Sequence, residues 1–283
     1  MKAYIASAFS RNGSGGNRAG IIPDAERFTP EQRQAIAARI GLSETAFILK
    51  DAEADYLLEF YTPVRQIANC GHATLASFGL LQQMRQLKKN QVSMRTLSGV
   101  SQIWVRGNRV IMEQHKPFFQ LIHIDHVIAS MGIEKKEIIL PITVINTGNS
   151  FLIIELNDEK TLRALQPDLQ LVKKISEELD LIGYYVFVRK QGRPDAIARM
   201  FAPRYGIDEE SATGMAAGPL ACYLHTVRNA VPLHFTFYQG DFMTIPSPSA
   251  LYVELNIDND QVKNLYVSGD VKIETEVEID LDD

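Results

Sequence analysis

The chain has 283 residues, 46% hydrophobic and 22% charged, with a formal net charge of −5 and two cysteines. Those figures describe a folded globular protein of one large or two ordinary domains, and they exclude a disordered segment and a disulfide-built scaffold. No Lys/Arg stripe supports nucleic-acid binding, and no run of about 18 apolar residues supports a membrane span. The N-terminus enters strand-like sequence without an apolar signal region, so a cytoplasmic setting with Cys70 and Cys222 reduced is expected.

Residues 3–9 predict a strand, 11–19 a Gly/Asn/Ser-rich loop, and Ile21 and Ile22 a return to extended structure. Thr29, Pro30 and Gln32 predict the N-cap, first and third positions of a helix with a capping box, running to Ile40 and stopping at Gly41. Strands over 43–49 and 55–61 and a helix over 70–84 follow. Next come strands over 92–97, 100–106 and 108–114, turning at Gly107-Asn108. Polar Gln114-His115-Lys116-Pro117 marks a boundary between an N-terminal lobe, 1–116, and a C-terminal lobe, 117–283. In the second lobe, helical stretches are expected at 122–130 and around Lys135, then strands over 142–146 and 150–155. A helix over 161–179, strands over 182–189 and 196–201 and a helix over 215–228 come next. Strands over 233–238, 242–245, 251–257 and 262–268 complete the series, with 271–279 alternating as if to close a sheet. The acidic stretch from Glu274 onward reads as a solvated end.

Two helix-opening loops share one design. Asn69-Cys70-Gly71-His72-Ala73-Thr74 and Ser211-Ala212-Thr213-Gly214-Met215-Ala216 each place small residues at the start of an apolar helix, after an extended stretch ending in Pro63 or Pro203. A helix start offers unpaired N–H groups and partial positive charge, and small residues let a ligand approach closely. Such ends suit a carboxylate. The order strand, Gly16-Asn17, helix, strands, Gly71, helix returns as strand, Gly148-Asn149, helix, strands, Gly214, helix, which suggests an internal duplication. An imidazole at His72 has its cation disfavoured by the helix dipole, and a neutral His72 can bond a substrate oxygen or relay a proton; a capping role is the alternative. The histidines show no metal-ligand pattern, and no metal is expected.

Ser43-Glu44-Thr45-Ala46-Phe47, Tyr61-Thr62-Pro63, Cys70-Gly71-His72-Ala73-Thr74, Arg199-Met200-Phe201-Ala202-Pro203, Ala212-Thr213-Gly214, Gly218-Pro219-Leu220-Ala221 and Gln239-Gly240 resemble the phenazine-biosynthesis PhzF-like family. The matches run in order over almost the whole chain. The resemblance implies an α/β, diaminopimelate-epimerase-like fold: two similar lobes, each a mixed sheet or barrel wrapped around a central helix, with the site between them. It further implies a homodimer and an isomerase or epimerase that needs no cofactor and moves a proton on a small carboxylated metabolite. Glu44 stands where the family keeps its acid–base carboxylate. A carboxylate walled by groups such as Phe47 is expected to have a raised pKa. Glu210 stands at the family's Asp, and Gly16 and Asn17 line the site. Gly71, Ala73, Thr74, Thr213, Gly214, Met215 and Ala216 are expected to hold the anion.

Departures qualify the substrate rather than the fold. Gly16-Asn17-Arg18 replaces Gly-Asn-Pro, and Glu210 and Met215 replace Asp and Ser. Arg18 either meets an anionic substrate group or faces water. Cys70 matches the first thiol of racemases of the wider fold, but the second position falls near Ser211, and Cys70 alone reads as a small apolar residue. A small-molecule binding or scaffold protein that has lost catalysis is the alternative function.

Overall fold

Short runs of apolar and β-branched residues dominate this chain, and they fold as strands around two helices that are apolar on every side. The computed structural model describes residues 1–87, 89–122 and 125–279. The acidic end at 280–283 and, within the helix expected over 122–130, residues 123 and 124 lie outside the described residues. The elements are β1 (Lys2–Ala8), β2 (Asn17–Ile22), α1 (Pro30–Ile40), β3 (Thr45–Leu49), β4 (Tyr56–Tyr61), β5 (Gln66–Ile67), α2 (Gly71–Gln83), β6 (Gln91–Thr96), β7 (Gly99–Arg106) and β8 (Arg109–Gln114). They continue with β9 (Phe118–Leu121), α3 (Asp125–Met131), β10 (Ile138–Asn146), β11 (Ser150–Leu156), α4 (Glu159–Ala164), α5 (Leu169–Glu178), β12 (Gly183–Arg189), β13 (Ala196–Ala202) and β14 (Ile207–Glu210). The last are α6 (Gly214–Thr226), β15 (His234–Gln239), β16 (Ser249–Asp258) and β17 (Gln261–Glu278). Among the described residues no helix is long and apolar enough to cross a membrane.

The chain divides into two units, Met1–Glu113 with Ser268–Asp283, and Gln114–Val267. A single cut after residue 116 therefore misplaces the C-terminal stretch. The physical reason is strand pairing: β17 runs antiparallel to β1 from Lys2↔Glu278 to Ala8↔Val271, and Ser7 Oγ donates to Glu274 Oε1 at 2.6 Å. The acidic segment through Glu278 is thus a paired strand, not a free tail. Arg18 faces water, as one of its two expectations had it, and its Nε lies 2.8 Å from Glu274 Oε2.

In the first unit β1 pairs β2, β2 lies parallel to β3, β3 pairs β4, β4 lies parallel to β6, and β6, β7 and β8 form a meander. β8 then meets β17, and the Val271 amide donates to Asn108 O at 3.0 Å, so the strands close into a barrel. Residues 71–78 of α2 are all buried, as are Leu80 and Leu81. A helix hidden on every side needs apolar residues on every side. Val271 presses on Gly79 of α2, where a Cβ would sit 2.5 Å from its side chain. α1 carries the Thr29–Gln32 capping box and ends on Gly41 in the left-handed region, as the sequence indicates. It packs Ile36 and Ala37 onto Phe47 and Leu49 of β3.

The second unit repeats this pairing order. β10 pairs β11, β11 lies parallel to β12, β12 pairs β13, and β13 lies parallel to β15, which pairs β16. Even the short strands correspond: β5 attaches to β4, and β14 to β13. α6 is the buried counterpart of α2. The duplication suggested by sequence is therefore present as topology. Three expectations fail locally. The helix expected over 161–179 is broken into α4 and α5 around Pro167, because proline clashes with a preceding helical turn; Asp158 and Asp168 each cap a new start. Residues 242–245 form turns, since Gly240 at φ 83° bends the chain and Ser247 N bonds its carbonyl at 3.0 Å. The strands expected over 262–268 and 271–279 are one continuous β17.

Candidate active site

In the first unit three separate segments deliver polar side chains to the start of α2. Glu44 ends the loop after α1, and its carbonyl accepts the Gly20 amide at 3.0 Å, which fixes the backbone beside β2. His72 is the second residue of α2. Asn17 opens β2 behind Gly16, whose φ of 94° is open to glycine; a Cβ there would meet Ala8 O at 2.6 Å. His72 Nε2 lies 3.1 Å from Glu44 Oε2, and Asn17 Nδ2 lies 3.2 Å from His72 Nδ1. Cys70 Sγ sits 3.6 Å from Nδ1 and 3.8 Å from Nε2 of the same ring. All four residues are buried, Glu44 at 7% and His72 at 5% exposure. The Nε2–Oε2 contact is off the hydrogen-bond direction, so Glu44 Oε2 meets no aligned donor among the described residues.

The electrostatics differ from both sequence expectations. Burial acts to raise the Glu44 pKa, but His72 beside it outweighs burial and holds the carboxyl below its ordinary 4.5. Burial likewise acts against the His72 cation, yet the Cys70 sulfur and the Glu44 carboxylate hold it well above the ordinary 6.5. Burial keeps the Cys70 thiol above its usual value and therefore protonated, so Glu44 is the partner that counts at neutral pH. The pairing with Glu44 thus acts against the helix dipole and favours the protonated ring.

The start of α2 is also unusual among this chain's helices. α1, α4 and α5 have their first amides capped by Thr29, Asp158 and Asp168. Cys70 and Thr213, the N-caps of α2 and α6, make no side-chain cap bond. Helix starts without such a cap keep donors for a bound anion.

In the second unit the stretch before α6 is held by Gln239, which is fully buried. Its Oε1 accepts from Thr213 N at 3.1 Å and Tyr185 Oη at 3.0 Å, and its Nε2 donates to Glu210 O at 2.7 Å. Thr213 Oγ1 donates to the Glu210 carboxylate. Met215 Sδ accepts from Gln114 Nε2 at 3.6 Å, and the same amide donates to Gly214 O at 2.9 Å. Residues 207–210 form β14, since Met200↔Glu210 and Ala202↔Ile207 pair them to β13. Glu209 is consumed by a two-pronged ion pair with Arg199 at 2.8 and 2.7 Å.

Residues 6–276 match the model of the PhzC-PhzF family, described as phenazine biosynthesis-like protein. The chain belongs to this family. It is 31% identical over 286 residues to an uncharacterised isomerase of Clostridium acetobutylicum, covering 95% of both chains. It is 29% identical over 283 residues to the uncharacterised isomerase YddE of Escherichia coli K12, covering 95% of this chain and 94% of that one. Its fold is that of a PhzF-family crystal structure from Bacillus anthracis, with TM-score 0.88, 23% identity and 99% coverage of each.

Within this PhzF-family chain, the structure gathers Glu44, His72, Asn17 and Gly16 with Gly71, Ala73 and Thr74 in the first unit. It gathers Glu210, Thr213, Gly214, Met215 and Ala216 in the second. Thr74 Oγ1 donates back to Cys70 O at 2.8 Å, so its hydroxyl is spent on the helix start. Gln114 and Gln239 are positioning residues to which sequence reasoning gave no role. Gln239 is legible in the Gln239-Gly240 motif, and Gln114 only as a polar residue closing β8. Two surface hollows, of about 280 and 600 Å³, lie elsewhere: one beside Lys50 and Tyr56, the other beside Arg163 and Phe242. Neither is lined by Glu44, His72 or Glu210.

Proposed function

We propose that this protein is a cofactor-independent isomerase that moves a proton on a small carboxylated metabolite, with Glu44 carrying the proton. The observation behind this is the buried Glu44–His72 pair, 3.1 Å apart, at a helix start without a side-chain cap. A carboxylate oxygen lacking an aligned donor keeps a lone pair for a substrate C–H. His72, oriented by Asn17, supplies positive charge that steadies the developing anion, and the first amides of α2 suit the substrate carboxylate. Glu210, with the amides of Thr213–Ala216, is the second unit's ligand-contact set. The names of the relatives support an isomerase. A ligand-binding protein without catalysis is disfavoured by the intact ion pair, whose burial is hard to explain as packing alone.

The test is solvent-exchange NMR in heavy water across a panel of amino-acid, hydroxy-acid and ring carboxylates. The wild type should incorporate deuterium into one class. Glu44→Gln should slow that exchange by about 10²–10⁴-fold, as for loss of a positioned acid–base group. Undiminished exchange in Glu44→Gln would move the proton to another residue.

A further inference from the structure

The sulfur of Cys70 has no task in that proton transfer, yet it faces the same ring. Sγ, one His72 ring nitrogen and a Glu44 carboxylate oxygen lie within 4.8 Å of one another. Their separations are 3.1 Å for nitrogen to oxygen and 3.6 to 3.8 Å for nitrogen to sulfur. A tetrahedral zinc ion with bonds of about 2.0 Å to nitrogen and oxygen and 2.3 Å to sulfur sets its ligand atoms roughly 3.3 and 3.5 Å apart. The nitrogen–oxygen and nitrogen–sulfur separations are within a few tenths of an ångström of those values, and sulfur to oxygen is within 4.8 Å; Sγ, almost equidistant from the two ring nitrogens, has to turn toward the Nε2 lone pair to share an ion. We propose that Cys70, His72 and Glu44 form a binding site for a thiophilic divalent cation, zinc above all, and that its occupancy switches the enzyme off. This rests on the proton-transfer role given to Glu44.

The chemistry of the donors fits. Once the Cys70 thiol and His72 Nε2 have released their protons to solvent as the ion binds, one thiolate, one imidazole and one carboxylate make a set that zinc accepts while leaving a fourth position for water. The carboxylate oxygen without an aligned donor already offers a lone pair. Ligation through Nε2 requires a proton on Nδ1 and an acceptor for it. Asn17 stands 3.2 Å from Nδ1, and rotation of its amide presents Oδ1 instead of Nδ2. The ion occupies the Glu44 oxygen and the His72 nitrogen that proton transfer needs, so it competes with turnover. Cys222, the other thiol, is buried elsewhere on α6, and no group of three ligating side chains around it is found among the described residues.

The experiment titrates the purified full chain with Co²⁺ and displaces it with Zn²⁺. One equivalent should bind, giving a near-ultraviolet thiolate-to-cobalt band and visible bands of tetrahedral intensity. Cys70→Ala should abolish the ultraviolet band, while Cys222→Ala should keep it. Asn17→Ala should weaken affinity by about 10–100-fold, as for loss of a residue that orients a ligand. Absence of the band, or its persistence in Cys70→Ala, overturns the site. Binding without loss of deuterium exchange overturns the inhibition. Because the spectra need no substrate, failure of the metal site is distinguishable from failure of the isomerase reading.

Discussion

His72→Leu should destabilise the protein far more than Glu44→Gln, and the excess should vanish in acid. The partner left behind decides this. Removing Glu44 leaves a buried imidazole with an ordinary value of 6.5, which sheds its proton at pH 7 almost freely. That substitution should cost less than about 1 kcal/mol. Removing His72 strands a carboxylate that is 7% exposed. Breaking a buried pair in this way costs about 3–5 kcal/mol, unless the carboxyl escapes by taking a proton. From an ordinary value of 4.5, protonation at pH 7 costs about 3.4 kcal/mol at 1.36 kcal/mol per pH unit, which sets the ceiling. At pH 5 the same escape costs about 0.7 kcal/mol. The sign follows from linkage. In the wild type the lowered Glu44 value gives stability present above 4.5 and lost as pH falls through the folded value. The raised His72 value gives stability complete below 6.5 and lost as pH rises through the folded value. Without His72, burial raises the Glu44 value, and stability falls as pH climbs above 4.5. The assay is urea unfolding at pH 5 and pH 7 of His72→Leu against Glu44→Gln/His72→Leu, which carries neither titrating group. A gap below about 1 kcal/mol at pH 7, or one that does not change with pH, would refute the reasoning.

Gly16→Ala, with a φ of 94° and a Cβ placed 2.6 Å from Ala8 O, should cost at least about 1–3 kcal/mol in urea melts. It should also slow deuterium exchange by displacing Asn17; normal stability would contradict the strain assigned to Gly16. Phe78→Ala removes a fully buried ring packed edge-on to Tyr56 at 5.6 Å. It should cost about 3–5 kcal/mol, read from chemical denaturation. Cys222 is fully buried, and burial pushes its thiol up to about 12. Mass spectrometry after treatment with a thiol reagent at pH 8 should find it unlabelled until denaturant is added, and rapid labelling of the native protein would contradict that burial.

Local rules carried much of the fold. Thr29, Pro30, Gln32 and Gly41 delimit α1 because cap chemistry acts within a few residues. The two glycine-led central helices were legible for the same reason. Pro167 interrupts an apolar period that continues across it, so periodicity alone reads α4 and α5 as one helix. β9 and β14 are four residues each, too short to show a period. In the site, residue identities at 44 and 72 were available from motif resemblance. Their charge states were not, because a pKa depends on which partner stands 3.1 Å away, and Glu44 and His72 are 28 positions apart in sequence. Cys70 was weighed alone, and its place against the imidazole appears only once α2 and the loop before β3 are assembled.

The return of β17 to β1 also sets a timetable for synthesis. The unit that holds Glu44 and His72 begins at Met1, yet its barrel closes only with strand residues up to Glu278. Chains emerge from the ribosome at about 5–20 residues per second, N-terminal parts first. For most of translation, then, β1 and β8 are unpaired edges, the kind of backbone that templates wrong pairing. The second unit has all its strands in hand earlier, since Val267 precedes the closing segment. Residues 271–278 seal strands made long before them.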